Sequence, residues 1–257
     1  MSLGAVSETI LKQVEAVTGL PVQVESDNRL QAPLLARVQI ARGGIPLHRV
    51  TYHPSATGMA DYLIAFQCSF VMRLYTLPFE ERFDLTDTPA ARADSLQWAK
   101  THPASSALPS DRQADFADFL RSSLMSMVRS IPVGLWIDSD LRERFPTLRE
   151  AQEQAIRRQI NTHATLLRPD FQQNVPAVPL GINFAINAAF AKFWGGVLGD
   201  SGWTLPYLAV GALTQGETLL RRSNELEPVA GNDRRIIEAW AEELGLKAWL
   251  AWKPYRP

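Results

Sequence analysis

Residues 50–77 restrict the fold of this 257-residue chain more than any other stretch. Val50-Thr51-Tyr52-His53 reads as a strand, Pro54-Ser55-Ala56-Thr57-Gly58 as a turn, and Met59 to Tyr75 as a long apolar helix. A helix that is apolar around most of its circumference must be enclosed, so other elements have to be arranged about it. Leu180 to Gly199 makes the same demand. Both approach the length of a membrane span, which needs roughly 18 or more residues with few or no charges. Asp61, Gln67 and Arg73 interrupt the first, and Asn183, Asn187 and Lys192 the second. Both are therefore expected as core helices, and no membrane contact is expected.

The flanking sequence supplies partners for these two helices. Ser7 to Val17 places Ile10, Leu11, Val14 and Val17 at helical spacing. Pro21 to Glu25, Arg37 to Ile40 and His48 to His53 read as strands. Pro78 to Asp87 and His102 to Pro109 read as loops on either side of a short helix, Ala90 to Lys100. Ser110-Asp111-Arg112-Gln113 has the capping-box pattern and opens a helix to about Arg129, with Phe116, Leu120, Leu124 and Val128 on one face, broken by Pro132-Val133-Gly134. Thr147-Leu148-Arg149-Glu150 repeats the pattern ahead of a helix that points Leu148, Ala151, Ala155, Ile156 and Ile160 inward. Three prolines make Pro169 to Pro179 a linker. Helices follow at Gly181 to Leu198, Pro206 to Ser223 and Asp233 to Leu244, with a last strand at Trp249 to Lys253. The expected class is α+β, mostly helical: one domain over 1–257, with a helix and small sheet in 1–55 and a helical core in 56–257.

Charge and composition exclude several functions. Apolar residues make up 46% of the chain and charged ones 21%, the balance of a globular core rather than a disordered segment. A net charge of -1 gives no long-range attraction to nucleic acid, and Arg157-Arg158, Arg221-Arg222 and Arg234-Arg235 are interleaved with acids. No direct nucleic-acid binding is expected. Cys68 is the single cysteine, so no intrachain disulfide forms. The first residues lack a basic, then apolar, leader pattern, and a cytoplasmic location is expected.

The strand, turn and apolar helix at 50–75 resemble the part of zincin metallopeptidases that carries His-Glu-x-x-His, two imidazoles one helical turn apart beside a carboxylate. Aligned on that motif, the window here is Phe66-Gln67-Cys68-Ser69-Phe70. Phenylalanine has no lone pair for a metal, and glutamine takes no proton near neutral pH. In glutamate-zincins the third ligand is a carboxylate on a downstream helix. Pro132-Val133-Gly134-Leu135-Trp136-Ile137-Asp138, followed by Arg144-Phe145-Pro146-Thr147-Leu148-Arg149, is similar to the stretch that bears it, which makes Asp138 its shortened counterpart. The segment from Asn183 to Leu198 with Pro206-Tyr207 and Gly216 is also similar to later parts of such chains, and the likeness spans Val50 to Leu220. It implies a zincin-like core with degenerate site positions at Phe66, Gln67, Phe70 and Asp138: a pseudoenzyme without metal or cofactor, acting on a protein or peptide partner or as a regulator. Some zincin-like proteins work beside transcription or defence factors.

The same residues also describe the core helix of an unrelated α+β fold, since Phe66 and Phe70 are natural i, i+4 packing partners. A hydrolase using Asp138, His53 or Glu80 is the competing functional class. No two of His48, His53, His102 and His163 have i, i+4 spacing; His163, near a helix end, is placed where a cation is favoured. Cys68 sits mid-helix among apolar neighbours and reads as an inert core residue. Gly199-Asp200-Ser201-Gly202 lacks the glycine and the base of a serine-protease site, and reads as a turn. Gly211 and Gly216 have P-loop spacing, but Glu217 replaces the lysine and both glycines fall within an expected helix. Trp249, Trp252 and Tyr255 form an aromatic tail that, if exposed, is a partner surface.

Overall fold

The computed structural model describes residues 3–30 and 34–256. The fold is α+β and mostly helical. Helix α1 (Ala5–Thr18) precedes strands β1 (Val22–Ser26), β2 (Ala36–Gln39) and β3 (His48–Tyr52). These strands form a sheet of order β1-β3-β2, with β1 parallel and β2 antiparallel to β3. Val24 and Val38 both align with the buried Val50, so the sheet's apolar centre lies on one row. A 3-10 turn, Pro54–Met59, leads into α2 (Ala60–Thr76), which packs on α1 and on the sheet. The Asp61 carboxylate accepts from the Gly4 amide (2.9 Å) and the Ser7 hydroxyl (2.8 Å), fixing the start of α1 against α2.

Beyond α2 the chain departs from expectation in several places. Phe83–Asp87 is a strand, β4, rather than loop, followed by α3 (Pro89–Thr101) and the short α4 (Pro103–Ser106). Helix α5 (Ser110–Arg144) is continuous for 35 residues, about 50 Å. Pro132 lies inside it, where it forfeits one backbone hydrogen bond at a cost of about 3 kcal/mol. Pro132, Val133, Gly134 and Leu135 are all buried, and α5 packs there between α2, α8 and α11, so tertiary burial outweighs the local penalty. Neither capping box is made: the N-caps of α5 and α6 are Pro109 and Leu148, with no side-chain bond, and Gln113 instead donates to the carbonyls of Ser106 and Leu108.

Helix α6 (Arg149–Thr165) is followed by a single turn, α7 (Pro169–Gln172), and by α8 (Ala177–Leu198), so the proline-rich segment is largely helical. Its prolines stand in or just before first turns, where a missing N–H costs nothing. The expected helix after Pro206 is two, α9 (Leu205–Ala209) and α10 (Leu213–Asn224), parted at Gly211, whose φ of 74° is costly for other residues. A Cβ at Gly216 would come within 2.7 Å of the Ala189 nitrogen, which is how α10 lies so close on α8. Helix α11 (Asp233–Glu243) and strand β5 (Leu250–Pro254) complete the chain. Strand β5 pairs antiparallel with β4, Leu85 opposite Trp252.

The main apolar cluster includes Ile10, Val14 and Val50 from the N-terminal fifth together with Ile64, Ile186, Trp194 and Trp240. It therefore draws on both 1–55 and 56–257. No helix among the described residues is long and apolar enough to cross a membrane.

Candidate functional site

Tyr62, Phe66 and Phe70 recur every fourth residue and form one stripe along α2. Phe66 and Phe70 meet edge-to-face with centroids 5.3 Å apart, and Tyr62 tilts against Phe66 at 5.9 Å. The stripe faces α5: a Cβ at Gly134 would lie 3.2 Å from the tip of Phe66. One turn further along α5, Asp138 is buried, 2% exposed. Its Oδ1 accepts from the Tyr62 hydroxyl (2.7 Å) and from Gln152 Nε2 on α6 (3.2 Å). The same Nε2 donates to the Asp138 carbonyl at 2.9 Å, and Gln152 Oε1 accepts from Arg142 at 3.3 Å. Burial pushes the Asp138 carboxyl up to about 7, against two hydrogen bonds that favour the carboxylate. Burial also drives the Tyr62 phenol upward, reinforced by the neighbouring carboxylate.

The structure thus brings Phe66 and Phe70 together and sets Asp138 on the same side of α2, bonded to Tyr62 rather than to either aligned neighbour. Gln67 points elsewhere, its Nε2 donating to the Ala36 carbonyl of β2 at 3.3 Å. Tyr62 and Gln152 were absent from the sequence-based set. Gln152 did carry a signal: it lies between Leu148 and Ile156 at i, i+4 spacing, a polar residue on the inward face of α6. Phe66 is only half-buried, so Phe66→Ala is expected to cost about 2–3 kcal/mol, below the ~3–5 of a fully enclosed aromatic. Urea denaturation checks it, and a loss under about 1 kcal/mol would mean the α2–α5 contact is not packed.

The histidines are dispersed in role. His48 is buried in β3 and its Nδ1 accepts from the Ala41 amide (3.1 Å). His53 caps the 3-10 turn, its Nδ1 accepting from the Ser55 amide (3.1 Å) and lying 2.8 Å from the Ser55 hydroxyl, to which Arg158 also donates (3.1 Å). This hydroxyl–imidazole pair is local capping geometry, and no carboxylate bonds His53 among the described residues. His163 lies in the last turn of α6, but burial holds its imidazole down to about 4, so the expected cation at the helix end is a neutral ring. Glu80 is exposed in a 3-10 turn, apart from the Asp138 cluster. Burial raises the Cys68 thiol to about 12, which leaves it inert. Among the described residues no three His, Cys, Asp or Glu side chains are grouped to hold a metal.

The aromatic tail turns inward. Trp249 and Tyr255 are each 1% exposed, and Trp252 is half-buried beneath the Arg234 guanidinium. Trp249 Nε1 donates to Asp94 (2.8 Å) and the Tyr255 hydroxyl donates to the Ala41 carbonyl. The exposure on which a partner surface depended is absent at Trp249 and Tyr255: Trp249 packs on Trp98 of α3, ring centroids 5.1 Å apart, and Tyr255 on Tyr75 of α2 at 5.8 Å. A cavity of about 280 Å³ between β4 and α5 includes Leu85, Arg121 and Arg129 in its lining. A second, of about 300 Å³, lies where α5, α6 and α8 meet. Neither is lined by Phe66, Gln67, Phe70 or Asp138. Comparison with protein-family models, with curated proteins and with solved structures finds no match to this chain.

Proposed function

We propose that the chain is a non-catalytic protein built on a zincin-like core, acting by binding a protein or peptide partner. The observation that supports this best is the α2–α5 pair. An acid on α5 lies against the α2 stripe that holds Phe66 and Phe70, the relation a third ligand would have to paired histidines. The polar side chains bond within the fold: Asp138 Oδ1 accepts from Tyr62 and Gln152, and Gln67 donates away from the stripe to β2. Phenylalanine at both ligand positions fills the helix face with packing in place of coordination. Support for a partner comes from α9, where Leu205 and Leu208, one turn apart, are 62% and 60% exposed.

The test uses the purified chain. It should retain no stoichiometric zinc after dialysis and cleave no peptide substrate. Leu205→Ser with Leu208→Ser should keep the wild-type melting temperature within about 2 °C while losing the partner that wild type captures. One zinc per chain together with peptide cleavage would overturn the non-catalytic reading, and undiminished capture by the double variant would overturn the assigned surface.

A further inference from the structure

The 300 Å³ cavity is independent of the α2 stripe and of the reading just given. It lies between the C-terminal end of α5, the first turn of α6 and the C-terminal end of α8, and its lining includes Arg142, Glu143, Arg149, Phe193, Trp194 and Val197. Among the described residues each arginine side chain donates one hydrogen bond: Arg149 Nε to the Arg142 carbonyl (2.9 Å), and Arg142 to Gln152 Oε1 (3.3 Å). A guanidinium has five N–H donors, so each keeps several unspent. Neither forms an ion pair among the described residues, whereas nearby Arg144 and Arg157 pair with Asp140 (2.8 Å) and Glu153 (2.9 Å). Trp194 is fully buried, and its Nε1–H has no acceptor among the described residues. Phe193 and Val197 add apolar lining, with Val197 43% exposed.

We propose that this cavity binds a small carboxylate carrying an apolar body, as presented by a free apolar amino acid or by the C-terminal residue of a peptide. Arg142 and Arg149 receive the carboxylate, for which the planar guanidinium is the matching donor. Phe193 and Val197 take the apolar body, over a floor backed by the buried Trp194. Two arginines against one glutamate leave the lining at +1, which suits a monocarboxylate and disfavours a dianion. Glu143, exposed and outside any ion pair among the described residues, is placed for the ammonium of a free amino acid. The volume is at the small end of ligand pockets, room for one side chain rather than for an extended cofactor.

Calorimetric titration of the full chain with leucine, N-acetyl-leucine and leucinamide tests the proposal. At least one acid should bind with a Kd below about 1 mM, and leucinamide at least about tenfold more weakly. Arg149→Gln changes an exposed side chain, and should weaken the acid about tenfold with the melting temperature kept within about 2 °C. Tighter binding of leucine, lost in Glu143→Gln, identifies a free amino acid; tighter binding of N-acetyl-leucine identifies a peptide terminus. Equal binding of leucinamide and the acids, no binding of either acid at about 10 mM by saturation-transfer NMR, or full affinity in Arg149→Gln would each overturn it.

Discussion

Trp240→Ala is expected to destabilise the protein by about 4–5 kcal/mol. Trp240 is wholly buried on α11 and belongs to the main apolar cluster. Removing a large aromatic from such a site costs about 3–5 kcal/mol, because the space left behind closes only in part. The indole also donates from Nε1 to the buried Ser223 hydroxyl at 3.0 Å, and that hydroxyl donates to the Leu219 carbonyl at 3.3 Å. Losing the first bond costs about 1 kcal/mol, which places the variant in the upper part of that range. Against a total of about 5–15 kcal/mol, the variant is left near the threshold of folding. Its melting temperature should fall by roughly 8–20 °C, at about 2–4 °C per kcal/mol for a chain of this size. Trp240→Phe keeps the ring volume in part and loses the donor, so about 1–2 kcal/mol is expected. Urea midpoints for the two variants decide the matter. A loss below about 2 kcal/mol in Trp240→Ala would show that α10 and α11 close over the gap, and that the C-terminal helices are loosely held.

The helices were legible in the sequence wherever one apolar face recurs. The stripe of α1, the enclosed α2 and α8, and the inward residues of α6 all follow from spacing, and the structure places them as expected except for Val17 of α1, which is 45% exposed. Strand β4 was not legible. Two aspartates in five residues argue against a strand, and its pairing partner lies some 165 residues away in sequence. Asp84 and Asp87 are accommodated by Arg42 (2.9 Å) and Arg121 (2.7 Å), neither adjacent in sequence. Pro132 misled for the opposite reason: its local signal is strong, and only the neighbours that bury it carry α5 through. The candidate site divides along the same line. The stripe of Phe66 and Phe70 can be read from spacing, whereas the bonds from Tyr62 and Gln152 to Asp138 span 76 and 14 residues and depend on how three helices pack.

That buried triad has a measurable signature in pH. The Asp138 carboxyl titrates near 7 in the folded protein and near 3.8 when exposed. An acid whose folded value is raised contributes stability below its unfolded value and loses it as pH rises through the folded one. The Asp138 contribution is therefore full below about pH 4, declines between pH 4 and 7, and is at its least above 7, a swing of up to about 4 kcal/mol. His163 acts in the opposite sense. Its ring is held near 4 by burial, so stability falls as pH drops from 6.5 toward 4. The wild-type curve mixes both, and the comparison that isolates Asp138 is Asp138→Asn. Asparagine is neutral at every pH, has nearly the same shape, and its carbonyl can accept from Tyr62 and Gln152 as Oδ1 does. At about pH 4 and below the variant should match wild type within about 1 kcal/mol, since Asp138 is then neutral in the folded chain and largely protonated in the unfolded one. At pH 8 the variant should be the more stable by about 2–4 kcal/mol, because wild type must then hold an unpaired charge inside the core. Denaturant melts across pH 4–8 measure the difference directly. A variant-minus-wild-type difference that stays constant with pH would mean that Asp138 titrates alike in the folded and unfolded chain, and that the α2–α5–α6 junction admits water to its carboxylate.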